Sequence, residues 1–114
     1  MSGSFETHDA HARAELRPVR VPILIDGVFE EARDLAGALP GWTIASVDTE
    51  RRVIVCRRKG GLLSGDSEIT ISCSAPEGIP STTVHVRSTT SGGLVSRDRA
   101  NVLEFTVPFH RRVC

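Results

Sequence analysis

The sequence predicts an α+β fold: a two-layer sandwich in which a curved antiparallel sheet carries two helices on one face, in the order β-α-β-β-β-β-α. Three observations predict it. Three stretches alternate apolar and polar residues at period two, two more are β-rich runs flanking a short polar loop, and two others repeat apolar residues at helical spacing. The last four strand-like stretches follow one another through short connections, which makes a meander. Each helix has one apolar stripe, so both can cover the same sheet face.

Residues 1–17 are polar and without sustained periodicity, and are expected to form an N-terminal arm ahead of a single domain over 18–114. Along 18–25, Val19, Val21, Ile23 and Ile25 share one face. Pro22 has no N–H to donate, so this strand belongs at a sheet edge. Asp26 is a candidate helix cap, and Val28, Ala32, Leu35 and Leu39 recur at helical spacing, so a helix is expected over 27–39. Pro40 and Gly41 end it.

Residues 41–58 read as a hairpin around Asp48-Thr-Glu-Arg51. They contain the only tryptophan, Trp42, and the β-branched run from Val53. The glycine-rich stretch 59–65 is a loop that carries Leu62 and Leu63. Ile69, Ile71 and Cys73 alternate with Glu68, Thr70 and Ser72. On the last strand, Val84, Val86 and Ser88 alternate with Thr83, His85, Arg87 and Thr89. Ser91-Gly-Gly93 is expected to break that strand and Ser96 to cap a second helix. Ala100, Leu103 and Val107 form the expected inner stripe, with Phe105 and Val102 beside it, and Pro108 is expected to stop or kink it. The topology is that of TATA-binding-protein-like folds and is close to helix-grip folds.

A chain of 114 residues buries enough surface to fold without metal or disulfides. Fourteen basic and fourteen acidic residues cancel, which removes a general pull on nucleic acid or anionic lipid. No run has the length of a membrane span, and the N-terminus lacks the apolar core of a signal peptide. Cys56, Cys73 and Cys114 have no metal-binding spacing. Cys56 and Cys73 lie in apolar strands, as buried free thiols do, and the simplest setting is a reducing cytoplasm. No cofactor or metal is implied.

No nucleophile–base signature or phosphate-cradling loop is present. The strongest polar cluster is Arg87, Ser88, Ser96 and Asn101, brought together by one tight turn. Two readings stand. Arg87 and Asn101 satisfy turn carbonyls while Ser96 caps the helix, or the four form an anion clamp. The sheet face away from the helices, with Thr43, Ala45, Glu68, Thr70, Ser72, Thr83, His85 and Arg87, is open and polar.

Ala38-Leu-Pro-Gly-Trp42, the following Ile-Ala-Ser-Val-Asp-Thr-Glu50, Asp66, Val86-Arg-Ser88 and Ala100-Asn101 together resemble a bacterial family of small uncharacterised domains, catalogued as domain of unknown function fourteen ninety-nine. The resemblance spans roughly residues 23–107. It implies the order of elements and an arginine–serine pair on the last strand ahead of an Ala-Asn helix. This chain departs from the family pattern at Thr90-Ser91 and at Arg99. The resemblance implies no activity.

The reading that follows is a non-enzymatic binding or assembly module. It acts through the open sheet face, the Leu62–Leu63 loop or a strand edge, toward a protein partner or a second copy. The alternative is a small-ligand pocket between sheet and helix, with a possible enzymatic role.

Overall fold

A computed structural model describes residues 3–60, 64–76, 78–93 and 97–113. Leu62, Leu63, Ser96 and Cys114 lie outside the described residues. The sheet has six strands: β1 (Gly3–Glu6), β2 (Val19–Val21), β3 (Trp42–Asp48), β4 (Val53–Arg58), β5 (Ser64–Ser74) and β6 (Thr82–Gly93). The order is β1-β6-β5-β4-β3, all antiparallel, and β2 also pairs with β6. Helices α1 (Ile25–Ala38) and α2 (Asp98–Val113) pack on one face.

The N-terminal segment departs from the expected loose arm. Strand β1 pairs with residues 87–90 of β6 and β2 with residues 82–84, so the two run in succession along one neighbour. The Thr7 N–H continues the ladder to the Val86 carbonyl at 2.8 Å. The excursion between them is fastened. Leu16, in a short 3-10 turn, is buried in the core, and the His8 N–H reaches its carbonyl at 2.9 Å. Asp9 accepts a bidentate bond from Arg20 at 2.7 and 3.2 Å, and this guanidinium holds the Asp9 carboxyl below the usual range. Thr7 is buried. Its hydroxyl accepts the Val86 N–H at 3.1 Å and is hydrogen-bonded to His85 Nδ1 at 2.7 Å.

Strand β2 stops before Pro22 and lies at the sheet edge, as the missing N–H requires. Ile23, expected inside, is exposed in the connection to α1. Helix α1 begins at Ile25, two residues earlier than expected. Leu24 holds the N-cap position without a side-chain bond, and Asp26 sits in the first turn rather than capping it. Its carboxylate instead receives the Arg52 guanidinium from the β3–β4 turn. Gly41, at φ +80°, turns the chain from helix to β3 in a conformation that suits glycine.

The stripe of α2 is rotated from the expected one. Asp98, Asn101, Val102, Phe105, Thr106 and Phe109 are buried, while Ala100 is exposed and Leu103 half-buried. Aromatic area decides the rotation: Phe105 stacks on Trp42 at 6.2 Å and on Phe109 at 5.1 Å, and two phenylalanines bury more apolar surface than the aliphatic stripe. Pro108 lies inside α2, which continues to Val113. Val28, Ala32, Leu35 and Ala36 of α1 meet Ile54, Cys56, Ile69, Ile71, Val84 and Val86 of the sheet in one core. That core lies between sheet and helices.

Candidate functional site

Two polar groupings occupy the same end of the sandwich, one on each face of the sheet. The inner one follows from the rotation of α2, which carries Asp98 and Asn101 onto the strands. Asp98, 2% exposed, accepts the Ser88 hydroxyl at 2.8 Å and the Thr90 hydroxyl at 2.5 Å on one carboxylate oxygen. Thr90 has given its proton to Asp98, so Ser67 donates to Thr90 at 3.0 Å. Asn101 Nδ2 donates to Ser88 Oγ at 3.1 Å. Its Oδ1 is buried without a hydrogen-bond partner among the described residues. One turn further along α2, Glu104 accepts the Trp42 indole N–H at 2.5 Å and the Arg58 Nε–H at 3.3 Å.

The network unites two of the four residues expected to cluster, Ser88 and Asn101. Ser96 lies outside the described residues. Arg87 belongs elsewhere: it is exposed, opposite Glu6 and Thr70 on the open face, and makes no hydrogen bond among the described residues. Period two explains this, since neighbours on a strand point to opposite faces. Neither clamp role expected for Arg87, on turn carbonyls or jointly with Ser88 and Asn101, matches that position. Asp98 and Glu104 escaped the sequence reading. For Asp98 the signal was the spacing 98, 101, 105, which sets it and Asn101 on the face of Phe105; that spacing carries no signal for Glu104.

The outer grouping is a depression of about 690 Å³ on the open sheet face. Its floor is one cross-strand row in register, Thr43–Arg57–Glu68–Thr89. Lys59, Asp66 and Ser91 extend it toward the end where β5 and β6 overrun β4. All of these side chains are exposed and alternate with the inward-facing Trp42, Arg58, Ser67 and Thr90. The Gly60 N–H donates to Asp66 Oδ1 at 2.9 Å, which fastens the loop after β4. Two of the eight residues expected on the open face, Thr43 and Glu68, line the depression; Ala45, Thr70, Ser72, Thr83, His85 and Arg87 do not, and no group able to hold a metal ion is present among the described residues.

Solved structures share this architecture over nearly the whole chain. The Zhui aromatase/cyclase from Streptomyces sp. R1128 matches with a TM-score of 0.58 at 15% identity, over 100% of this chain and 97% of that one. Ara h 8.0201 matches at 0.64 and 10% identity, over 99% and 95%. A norcoclaurine synthase point mutant from Thalictrum flavum, in complex with a transition-state analogue, matches at 0.57 and 13% identity, over 97% of each. The chain has the helix-grip fold. No family model and no curated protein matches its sequence. At these identities the likeness establishes the fold alone. No helix among the described residues is long and apolar enough to cross a membrane.

Proposed function

We propose that this protein is a non-enzymatic binding module whose open sheet face holds a small polar ligand. The observation that carries this is the depression of about 690 Å³ over the row Thr43–Arg57–Glu68–Thr89, a volume in the usual range for small-molecule sites. The alternative, a small-ligand pocket between sheet and helix, is supported by the helix-grip neighbours; there Phe105, Phe109, Ile69 and Ile71 are buried. A helix-grip neighbour solved with a transition-state analogue supports a small-molecule ligand. Binding rather than catalysis is favoured because the described lining has no histidine or cysteine.

The test is a fragment titration of ¹⁵N-labelled protein followed by amide chemical shifts. Joint movement of the Thr43, Arg57, Glu68 and Thr89 amides is expected. A fragment collection that leaves all four unmoved, or that shifts only amides of α1 and α2, overturns the reading.

Self-association is a second reading, because β3 is a sheet edge with Thr43, Ala45 and Ser46 exposed along it. A register shift between Ile44 and Ser46 interrupts that edge, and such bulges oppose edge-to-edge pairing. Sedimentation velocity showing a dimer that an Ala45→Pro variant loses would favour it.

A further inference from the structure

We propose that the end of the sandwich opposite the outer depression is a docking surface for a protein segment that carries aliphatic side chains next to a lysine or arginine.

Three connections converge there: β2 to α1, β3 to β4, and β5 to β6. The depression stands at the other ends of these strands, where β3 and β5 begin and β4 and β6 finish. Direct contacts join the connections. The Thr82 hydroxyl donates to the Ile23 carbonyl at 2.6 Å, the Arg52 guanidinium meets the Asp26 carboxylate, and the Cys73 N–H reaches the Arg52 carbonyl at 2.9 Å. Among the described residues, the exposed large apolar side chains are Ile23 at 40%, Leu24 at 54% and Ile79 at 50%, and all of them stand on these connections. Single exposed apolar residues are ordinary, but their concentration at one end marks a contact surface. The loops that present them are already ordered. Pro22 and Pro80 restrict the backbone beside them, the Ile79 N–H bonds the Pro76 carbonyl at 3.2 Å, and the Ser81 N–H bonds the Ile79 carbonyl at 2.8 Å. Docking on such loops costs little ordering entropy.

Charge selects the occupant. The described acids of this end are Asp26, Glu30, Asp48 and Glu50, and the described bases are Arg51 and Arg52. Arg52 pairs with Asp26, and Arg51 reaches Asp48 at 3.9 Å. Glu30 and Glu50 are the excess, and neither carboxylate meets a cation among the described residues. Surplus negative charge repels an anionic bilayer and a second copy presenting the same end, and attracts a basic segment. A seat for the cation adjoins the apolar side chains. Asp26, Phe29, Glu30, Thr49 and Arg52 line a notch of about 150 Å³. Sites for whole small ligands run about 300–1,000 Å³, so this notch has room for one side chain. Arg52 engages Asp26 through Oδ1, and its Cζ lies 6.0 Å from the centroid of the Phe29 ring. Oδ2 of Asp26 and the Glu30 carboxylate are left as acceptors for an incoming ammonium or guanidinium. Leu24 precedes Asp26 by two residues, so a neighbouring aliphatic and basic pair on the partner reaches both features.

Three acetylated and amidated hexapeptides test this by titration into ¹⁵N-labelled protein: leucine-lysine-leucine-leucine-lysine-leucine, its counterpart with glutamate for lysine, and its counterpart with serine for leucine. The first should move the amides of Ile23, Leu24, Glu30, Thr49 and Ile79. The other two should bind at least tenfold more weakly. Added salt should weaken the first, because the charges involved are exposed. Glu30→Gln should weaken it at least threefold, and Leu24→Ser combined with Ile79→Ser at least tenfold. All of these side chains are exposed, so the variants should melt as the wild type does. Equal binding of the glutamate or serine peptide, or a first peptide that leaves these amides unmoved, overturns the assignment. So does a different occupant: a dimer in sedimentation velocity, or cosedimentation with phosphatidylcholine vesicles, that the double serine variant loses.

Discussion

Replacing Asp98 by alanine removes the centre of the buried network, and its cost can be worked from the bonds. Ser88 and Thr90 both donate to one oxygen of Asp98. Hydrogen bonds to a charged acceptor contribute about 1.5–3 kcal/mol each, so these two bonds together contribute about 3–6 kcal/mol. Part is recovered. Without Asp98, Thr90 can turn its proton toward Ser67, 3.0 Å away. Ser88 recovers an acceptor only by a flip of the Asn101 amide that presents Oδ1, which is buried without a hydrogen-bond partner among the described residues, in place of the donating Nδ2. The expected loss is therefore about 2–4 kcal/mol. Asp98→Asn keeps a carbonyl oxygen for both hydroxyls and loses only the charge, so about 1–2 kcal/mol is expected. Urea unfolding followed by circular dichroism is the assay. The midpoint should fall with the slope unchanged, since the surface exposed on unfolding is the same. An alanine variant within about 0.5 kcal/mol of wild type, the range of featureless surface changes, would refute the claim that this network stabilises the fold.

Two other outcomes are expected. Burial pushes the thiols of Cys56 and Cys73 up to about 11 from an ordinary value of 9.0, so in a Cys114→Ser variant neither should react quickly with a thiol reagent at pH 8. Raised thiols bind protons more tightly in the folded state, so their contribution to stability is full below about pH 9 and is lost as pH rises toward 11; alkaline melts should show that sign. Arg52, at φ +58°, combines a left-handed backbone with bonds to Asp26 and the Thr49 carbonyl, so Arg52→Ala should destabilise and Arg52→Gly should be about 1–2 kcal/mol more stable than the alanine variant. Equal melts for the two would show that the backbone there is unstrained.

The parts of the fold that were legible in the sequence are those fixed by local periodicity. Alternation along Ile69–Cys73 and Val84–Ser88 set which residues face the helices and which line the open sheet, and the register follows it. Strand β1 was not legible. Gly-Ser-Phe-Glu has no β-branched run, and it is a strand because residues 87–90 of β6 supply its partners from the far end of the chain. In α2, the aliphatic spacing 100, 103, 107 competed with 98, 101, 105, 109, and only the place of Trp42 against Phe105 decides between them. Arg87 was grouped with Ser88 by closeness in sequence, although alternation had already put the two on opposite faces.

The two polar groupings are mechanically one, for the same reason. The lining residues Thr43, Arg57, Glu68 and Thr89 are each chain neighbours of an inward residue held by hydrogen bonds: Trp42, Arg58, Ser67, and Ser88 with Thr90. Side chains stand nearly perpendicular to a strand, so fixing an inward one fixes the backbone that aims its outward neighbour. Trp42 and Arg58 meet on Glu104, which ties β3 and β4 to α2. Ser88 and Thr90 meet on Asp98 and Ser67 joins through Thr90, which ties β5 and β6 to the same helix one to two turns earlier. The four strands under the depression are thus indexed to a single rigid element on their far side. An all-apolar inner face at this end would pack as closely but would leave strand register and tilt less specified, because dispersion contacts are non-directional and hydrogen bonds are not. The buried polar residues of this sandwich therefore fix the strand backbone that carries Thr43, Arg57, Glu68 and Thr89 on the outer face.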